Sequence, residues 1–128
     1  MIMNDQVVQM LEKMLDINEN IYGVALVDGK GKVLAQTANW DIRKDSPGFV
    51  AAWNANQGSV SLLGIRYVVV ENTPERLIGT NATGKGHVIG ASAGPAKVIV
   101  YINPAIGPTV VLNDVYMDAM RIGKLMAS

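Results

Sequence analysis

Ile65-Arg66-Tyr67-Val68-Val69-Val70-Glu71-Asn72-Thr73-Pro74-Glu75-Arg76-Leu77-Ile78-Gly79-Thr80-Asn81-Ala82-Thr83-Gly84-Lys85-Gly86-His87-Val88-Ile89-Gly90-Ala91-Ser92 holds three β-rich runs joined by two short polar links. The runs are Ile65 to Glu71, Leu77 to Thr80 and Val88 to Ser92; the links are Asn72 to Arg76 and Asn81 to Gly86. Parallel neighbours need a crossover of a dozen or more residues, so links this short predict antiparallel pairing. Working outward, Lys97 to Asn103 reads as a further strand, and the strand-rich region begins at Val60. Upstream, Ile21 to Asp28 and Lys32 to Ala38 flank Gly29-Lys30-Gly31, which predicts another hairpin.

Helices bracket these strands. Val7, Leu11, Met14 and Leu15 share one face of a first helix that starts near Asn4 and ends near Asn18. Ser46-Pro47 reads as a cap followed by proline at the first helical position of a short helix carrying Phe49, Ala52 and Trp53 on one side. After Asn103-Pro104-Ala105-Ile106-Gly107-Pro108, a last helix has Leu112, Val115, Ala119, Ile122 and Met126 on its core side. The predicted class is α+β: one domain, residues 1–128, with a central antiparallel sheet of about six to seven strands. The terminal helices are expected on one face and the short helix on the other.

A chain of 128 residues with 49% hydrophobic and 17% charged residues has enough apolar material for one packed core. Its eleven basic and eleven acidic residues cancel, which argues against a nucleic-acid partner. No cysteine is present and His87 is the single histidine, so neither a disulfide framework nor a metal cluster is expected. No apolar run approaches the ~20 residues of a membrane span, and the first residues do not read as a secretory leader. A cytoplasmic location is the expectation.

Several motifs tempt. Gly79-Thr80-Asn81-Ala82-Thr83-Gly84-Lys85-Gly86 resembles a phosphate-binding loop, but Gly86 lacks the hydroxyl that magnesium needs, and the following residues read as strand. A hairpin loop is predicted instead. Asn81-Ala82-Thr83 fits a glycosylation acceptor pattern, yet without a leader it reads as a polar loop. Ser46, Ser59, Ser61, Ser92 and Ser128 have only His87 as a possible imidazole base, and no acid pair converges by spacing. Neither an enzymatic activity nor a cofactor is expected.

The last helix carries a second stripe. At 100° per residue Asn113, Tyr116, Met117, Met120 and Lys124 fall together, away from the Leu112 stripe. Either another part of the chain covers these residues or they form a protein-binding face, since Tyr and Met are enriched in interface cores.

Several segments resemble the profilin family. Val24-Ala25-Leu26-Val27-Asp28-Gly29-Lys30-Gly31-Lys32-Val33-Leu34-Ala35-Gln36-Thr37-Ala38-Asn39-Trp40 is similar to the first hairpin of plant-type profilins. Leu63-Gly64-Ile65-Arg66-Tyr67-Val68-Val69-Val70 resembles the family's Gly-Gly-x-Lys-Tyr-x-Val-Ile strand, and Thr83 to Ile89 its glycine-rich loop and following strand. The resemblance implies an actin-binding protein whose contact surface lies on the later strands and the last helix. Its basic strand residue falls on Arg66 and its helix asparagine on Asn113; the neighbouring tyrosine and acid fall on Met117 and Asp118. The expected contact surface further takes in Val68, Glu71, Asn81, Lys85 and His87, together with Tyr116 and Met120 of the helix stripe.

The resemblance also implies a cleft for proline-rich segments between the terminal helices, lined by aromatic rings. Here those positions fall on Met3, Gln6, Leu34, Ile122 and Ser128, none of them aromatic. Weak or altered polyproline binding is therefore expected, with Trp40 and Tyr22 as substitutes only if the fold brings them to that cleft. Phosphoinositide binding, another family trait, would draw on Lys30, Lys32, Arg43, Lys44, Arg121 and Lys124. In these departures the chain is similar to profilins of archaea that carry actin-like proteins. A monomer at the cytoskeleton is the corresponding expectation. Two other readings stay open on the residues: a roadblock- or longin-like dimerising scaffold for a small GTPase, and a PAS-like sensor with a ligand inside its sheet.

Overall fold

The computed structural model describes residues 4–127. In chain order these form α1 (Asn4–Ile17), β1 (Ile21–Val27), β2 (Val33–Gln36), α2 (Ser46–Asn54), β3 (Ser59–Leu62), β4 (Ile65–Asn72), β5 (Arg76–Thr80), β6 (His87–Ala93), β7 (Ala96–Ile102) and α3 (Leu112–Ala127). A 3₁₀ turn over Pro108–Val111 leads into α3. The strands make one seven-stranded sheet in the order β2-β1-β7-β6-β5-β4-β3, with antiparallel pairing throughout. Sheet neighbours are consecutive in the chain and joined by short turns everywhere except at β1–β7, which joins the first hairpin to the rest; β2 and β3, connected through α2, form the two edges.

Strand alternation divides the sheet's side chains between two cores. On one face Val24, Leu26, Ile78, Ile89, Ala91, Val98 and Val100 pack under Val7, Leu11 and Met14 of α1 and Val115, Ala119 and Ile122 of α3. On the other, Ala25, Val27, Tyr67, Leu77, Val88 and Ile99 pack against Phe49, Val50 and Trp53 of α2. The terminal helices thus share a face and α2 takes the opposite one. Each helix places its buried residues at the helical period, so burial of that stripe, more than intrinsic propensity, holds it in place.

Local chemistry sets the boundaries. α1 stops where Asn18 turns its side chain back to accept from Asn20 N, 3.0 Å. In the β1–β2 turn the Asp28 carboxylate accepts from Lys30 N and Lys32 N, both at 2.9 Å. These bonds, that from Lys32 foremost, hold the Asp28 carboxyl below its usual range. Ser46 is not the cap of α2, as its sequence context predicts. Asp45 occupies that position, and the buried Ser46 hydroxyl donates to Gly31 O at 2.6 Å, tying α2 to the first hairpin. At the far end, α3 crosses the β6–β7 turn with Gly123 against Gly94; a Cβ on Gly123 would lie 2.8 Å from Gly94 N. Only glycine permits that approach, which fixes the height of α3 above β6.

Candidate functional site

The face that carries α1 and α3 is only partly covered. α3 packs over β6 and β7, and α1 over β1 and β2. Because Tyr67 enters the α2-side core, its neighbours Arg66 and Val68 on β4 present to the helix-bearing face. No helix lies over them there. Val68 opposes Thr80 and, past a bulge at Val70, Glu71 opposes Ile78, so both sides of the bulge address that face. Val68 is 47% exposed and Val70 60%.

The second stripe of α3 borders this bare sheet. Met117 is 45% and Met120 58% exposed, while Tyr116 is half-buried and packs against the core. Arg76, the first residue of β5, joins the two elements. Its guanidinium is ion-paired with Glu71 of β4, and its Cζ lies 5.4 Å from the centroid of the Tyr116 ring. Val68 and Val70 on β4 and Met117 and Met120 on α3 are exposed, as are Arg66, Lys85 and Asn113.

The residues implied as contacts separate into two groups. Arg66, Val68, Lys85, Asn113, Met117 and Met120 are exposed. Glu71, Asn81, His87, Tyr116 and Asp118 are instead engaged within the chain. Asn81 donates from Nδ2 to Arg66 O at 2.8 Å, and its Oδ1 accepts from Thr83 N, Thr83 Oγ1 and Lys85 N at 2.9, 2.7 and 3.0 Å. The loop that mimics a phosphate cradle therefore turns the Thr83 and Lys85 N–H groups inward onto one side chain and runs straight into β6. His87 places Nδ1 2.6 Å from Thr80 Oγ1, with Nε2 sealed from solvent and without a partner. Asp118 lies on the other flank of α3, where its carboxylate accepts from Arg121 at 3.0 Å. Burial there raises its carboxyl above the usual value against the opposing pull of Arg121.

That flank faces α1 across an open groove of about 570 Å³, lined by Met10, Met14, Ile17, Met117, Asp118 and Arg121 among others. Of the polyproline positions, Gln6 is exposed, Leu34 half-buried and Ile122 buried; Met3 and Ser128 lie outside the described residues. Tyr22 and Trp40 do not substitute in the cleft between the helices. Trp40 is buried in the α2-side core and stacks on Tyr101 at 5.8 Å, which Tyr22 meets edge-on at 5.9 Å. The six basic residues divide between the segments around the first hairpin and α2, and the outer side of α3. Arg43 and Arg121 are paired with Asp41 and Asp118. Among the described residues no three His, Asp or Glu side chains gather as a metal site, and no helix is long and apolar enough to cross a membrane.

Two members of the surface escape a reading of the sequence. Val70 sits in an unbroken Tyr67-Val68-Val69-Val70 run that looks buried on both sides, and Arg76 looks like a solvated residue beside a turn. The bulge and the ring above Arg76 are tertiary facts with no local signal.

Comparison with solved structures sets the class. The crystal structure of LokiProfilin1 superposes with a TM-score of 0.86 at 38% identity, covering 96% of this chain and 99% of that one. LokiProfilin2, solved as a complex with rabbit actin, matches with the same TM-score, 0.86, at 34% identity over 96% and 99% of the two chains. In sequence, Loki profilin-1 of Lokiarchaeum sp. (strain GC14_75) is 36% identical over 134 residues, spanning 97% of this chain and 100% of the relative. The chain belongs to the profilin family. No family model matches it. A roadblock/LC7 domain from Streptomyces avermitillis superposes with a TM-score of 0.60 at 19% identity, covering 91% of this chain and 98% of that one, a likeness of fold alone.

Proposed function

We propose that this chain binds monomeric actin, or an actin-like protein, through the β4–α3 surface and thereby regulates its polymerisation. The observation that carries the reading is the set of exposed apolar side chains Val68 and Val70 on β4 and Met117 and Met120 on α3, two elements linked through Arg76. A family relative solved with rabbit actin supports the choice of partner. A stable complex buries about 1,600 Å² in total. Within it Val68, Met117 and Met120 supply apolar contact, while Arg66 and Lys85 act as rim charges that set the association rate more than the affinity. Glu71, Asn81 and His87 shape the surface from beneath, and Asp118 contributes through Arg121 at its far edge. The role is binding rather than catalysis, carried out by one domain in the cytoplasm where actin assembles.

The test is sedimentation velocity of the chain with rabbit actin monomer, together with a pyrenyl-actin assembly assay. A one-to-one complex and altered filament assembly are expected; no complex at tens of micromolar protein overturns the reading. The chain alone is expected to sediment as a monomer, whereas a stable dimer favours a roadblock-like scaffold. The PAS-like reading needs space inside the sheet, but the central strands fill both faces with Val24, Leu26, Val88, Ile89, Ile99 and Val100.

Polyproline binding is proposed to be weak, because the cleft positions described carry Gln6, Leu34 and Ile122 in place of rings that stack on a polyproline II helix. Calorimetric titration with a proline decamer is expected to show no saturable heat below about 1 mM ligand. A micromolar dissociation constant contradicts this.

A further inference from the structure

We propose that Arg76 is a positioning residue of the actin-binding face, holding Tyr116 so that α3 and β4 present one continuous surface; this rests on the reading of that face given above. Three ties fix Arg76. Its backbone closes the β4–β5 turn, with Arg76 N donating to Thr73 O at 3.2 Å and Thr73 N donating to Arg76 O at 2.7 Å. Its guanidinium is paired with the Glu71 carboxylate, and both side chains are partly withdrawn from water. The same cation lies under the Tyr116 ring, 5.4 Å from its centroid, within the range where the ring's quadrupole attracts a cation.

The geometry makes this more than a surface ion pair. Glu71 belongs to β4, Arg76 to β5 and Tyr116 to α3, so one guanidinium links three elements. Met117 is next to Tyr116 in the chain, and Met120 lies one turn along the same side of α3. A guanidinium serves better here than a point charge, because its Nε edge meets a carboxylate while its delocalised cation lies over a ring. Without it, Glu71 is left partly buried and unpaired, and Tyr116 loses the group beneath it. Tyr116 then samples other rotamers, and the methionines no longer meet actin at one fixed angle to Val68 and Val70.

The experiment compares wild type with Arg76→Met, which keeps most of the stem packing but removes the cation, and Arg76→Lys, which restores a charge. Affinity for rabbit actin monomer is read by calorimetry, and the Tyr116 ring resonances of the free chain by NMR. Arg76→Met is expected to bind actin 5- to 10-fold more weakly, with ~3-fold or smaller loss in Arg76→Lys. In a Tyr116→Leu background, Arg76→Met is expected to add little, because the two act as a unit. The Tyr116 ring resonances are expected to shift in Arg76→Met. Wild-type affinity in Arg76→Met, or unmoved Tyr116 resonances, overturns the inference. Failure of the wild-type chain to bind actin overturns the proposed function instead, and the ring resonances still decide whether Arg76 holds Tyr116. Should Arg76→Met fail to fold, Glu71→Gln, which removes the pairing charge while keeping the guanidinium, is read by the same two measurements; an unchanged ring and unchanged affinity there overturn the inference as well.

Discussion

Replacing Met120 with glutamate is expected to weaken binding to actin monomer at least ~30-fold, the effect of losing about 2 kcal/mol at an interface hot spot. Met120 is 58% exposed in the free chain, so the carboxylate costs the isolated fold little. Exposed substitutions of this kind stay within about 0.5 kcal/mol, or ~2 °C in thermal midpoint. The cost appears only on docking, when an interface that excludes water must bury an unpaired charge. Met117→Glu should act in the same direction from the crest of α3, where the side chain also borders the groove toward α1. Calorimetry with rabbit actin and a thermal melt of each variant separate the two effects. Unchanged affinity in Met120→Glu would remove α3 from the contact surface, and a collapsed melting curve would mean that Met120 serves the fold instead.

The second large effect lies on the opposite side of the sheet. Gly90→Ala is expected to destabilise the chain by about 3 kcal/mol, lowering the thermal midpoint by roughly 10 °C. A Cβ on Gly90 would stand 2.5 Å from Cζ3 of Trp53. That ring has little freedom to yield. Its Nε1 donates to Thr73 O at 2.8 Å, Phe49 meets it edge-on, and Lys97 Nζ sits 4.0 Å over its centroid. Moving the ring breaks the Thr73 bond and leaves a buried N–H without a partner, which adds to the packing strain. At a temperature where the variant is still folded, its affinity for actin should be close to that of wild type, because Trp53 belongs to the α2-side core. A loss of stability under about 1 kcal/mol would show that the indole relaxes more easily than its three contacts suggest.

The two predictions also show where sequence was informative. The brevity of Asn72 to Arg76 and Asn81 to Gly86 excluded crossover connections, and the sheet is antiparallel throughout. The double periodicity of the last helix separated Val115, Ala119 and Ile122, which are buried, from Met117 and Met120, which are not. What stayed hidden was whatever depends on residues distant in the chain. Tyr116 shares the helical stripe with Met120, yet Arg76, forty positions earlier, draws it partly inward. Asn81, Glu71 and His87 look like surface polar residues by type, but each finds a partner through a turn or a strand register that composition does not encode. Asp118 is one residue from Met117 and still falls on the other flank, because a helix turns neighbours 100° apart. The cap of α2 differs from the one its sequence context predicts for a related reason: the Ser46 hydroxyl is committed to Gly31 O, which sequence proximity cannot reveal.

Val70 is instructive in the same way. A run of four apolar residues ordinarily marks a strand buried on both sides, but β4 lies beyond the reach of α3 and the bulge leaves Val70 open to water. An exposed apolar patch beside a helix with outward methionines is an unfavourable surface for an isolated chain, and contact with a partner removes that cost.

The most direct measurement is cross-saturation NMR on the methionine and valine methyl groups of a chain deuterated everywhere else, in complex with protonated actin. Transfer from actin is expected to be strongest at Met117, Met120, Val68 and Val70, and weakest at Val50 beneath α2. Strong transfer at Met10 and Met14 with none at Met120 and Val68 would place actin over the α1–α3 groove and contradict the docking surface described above.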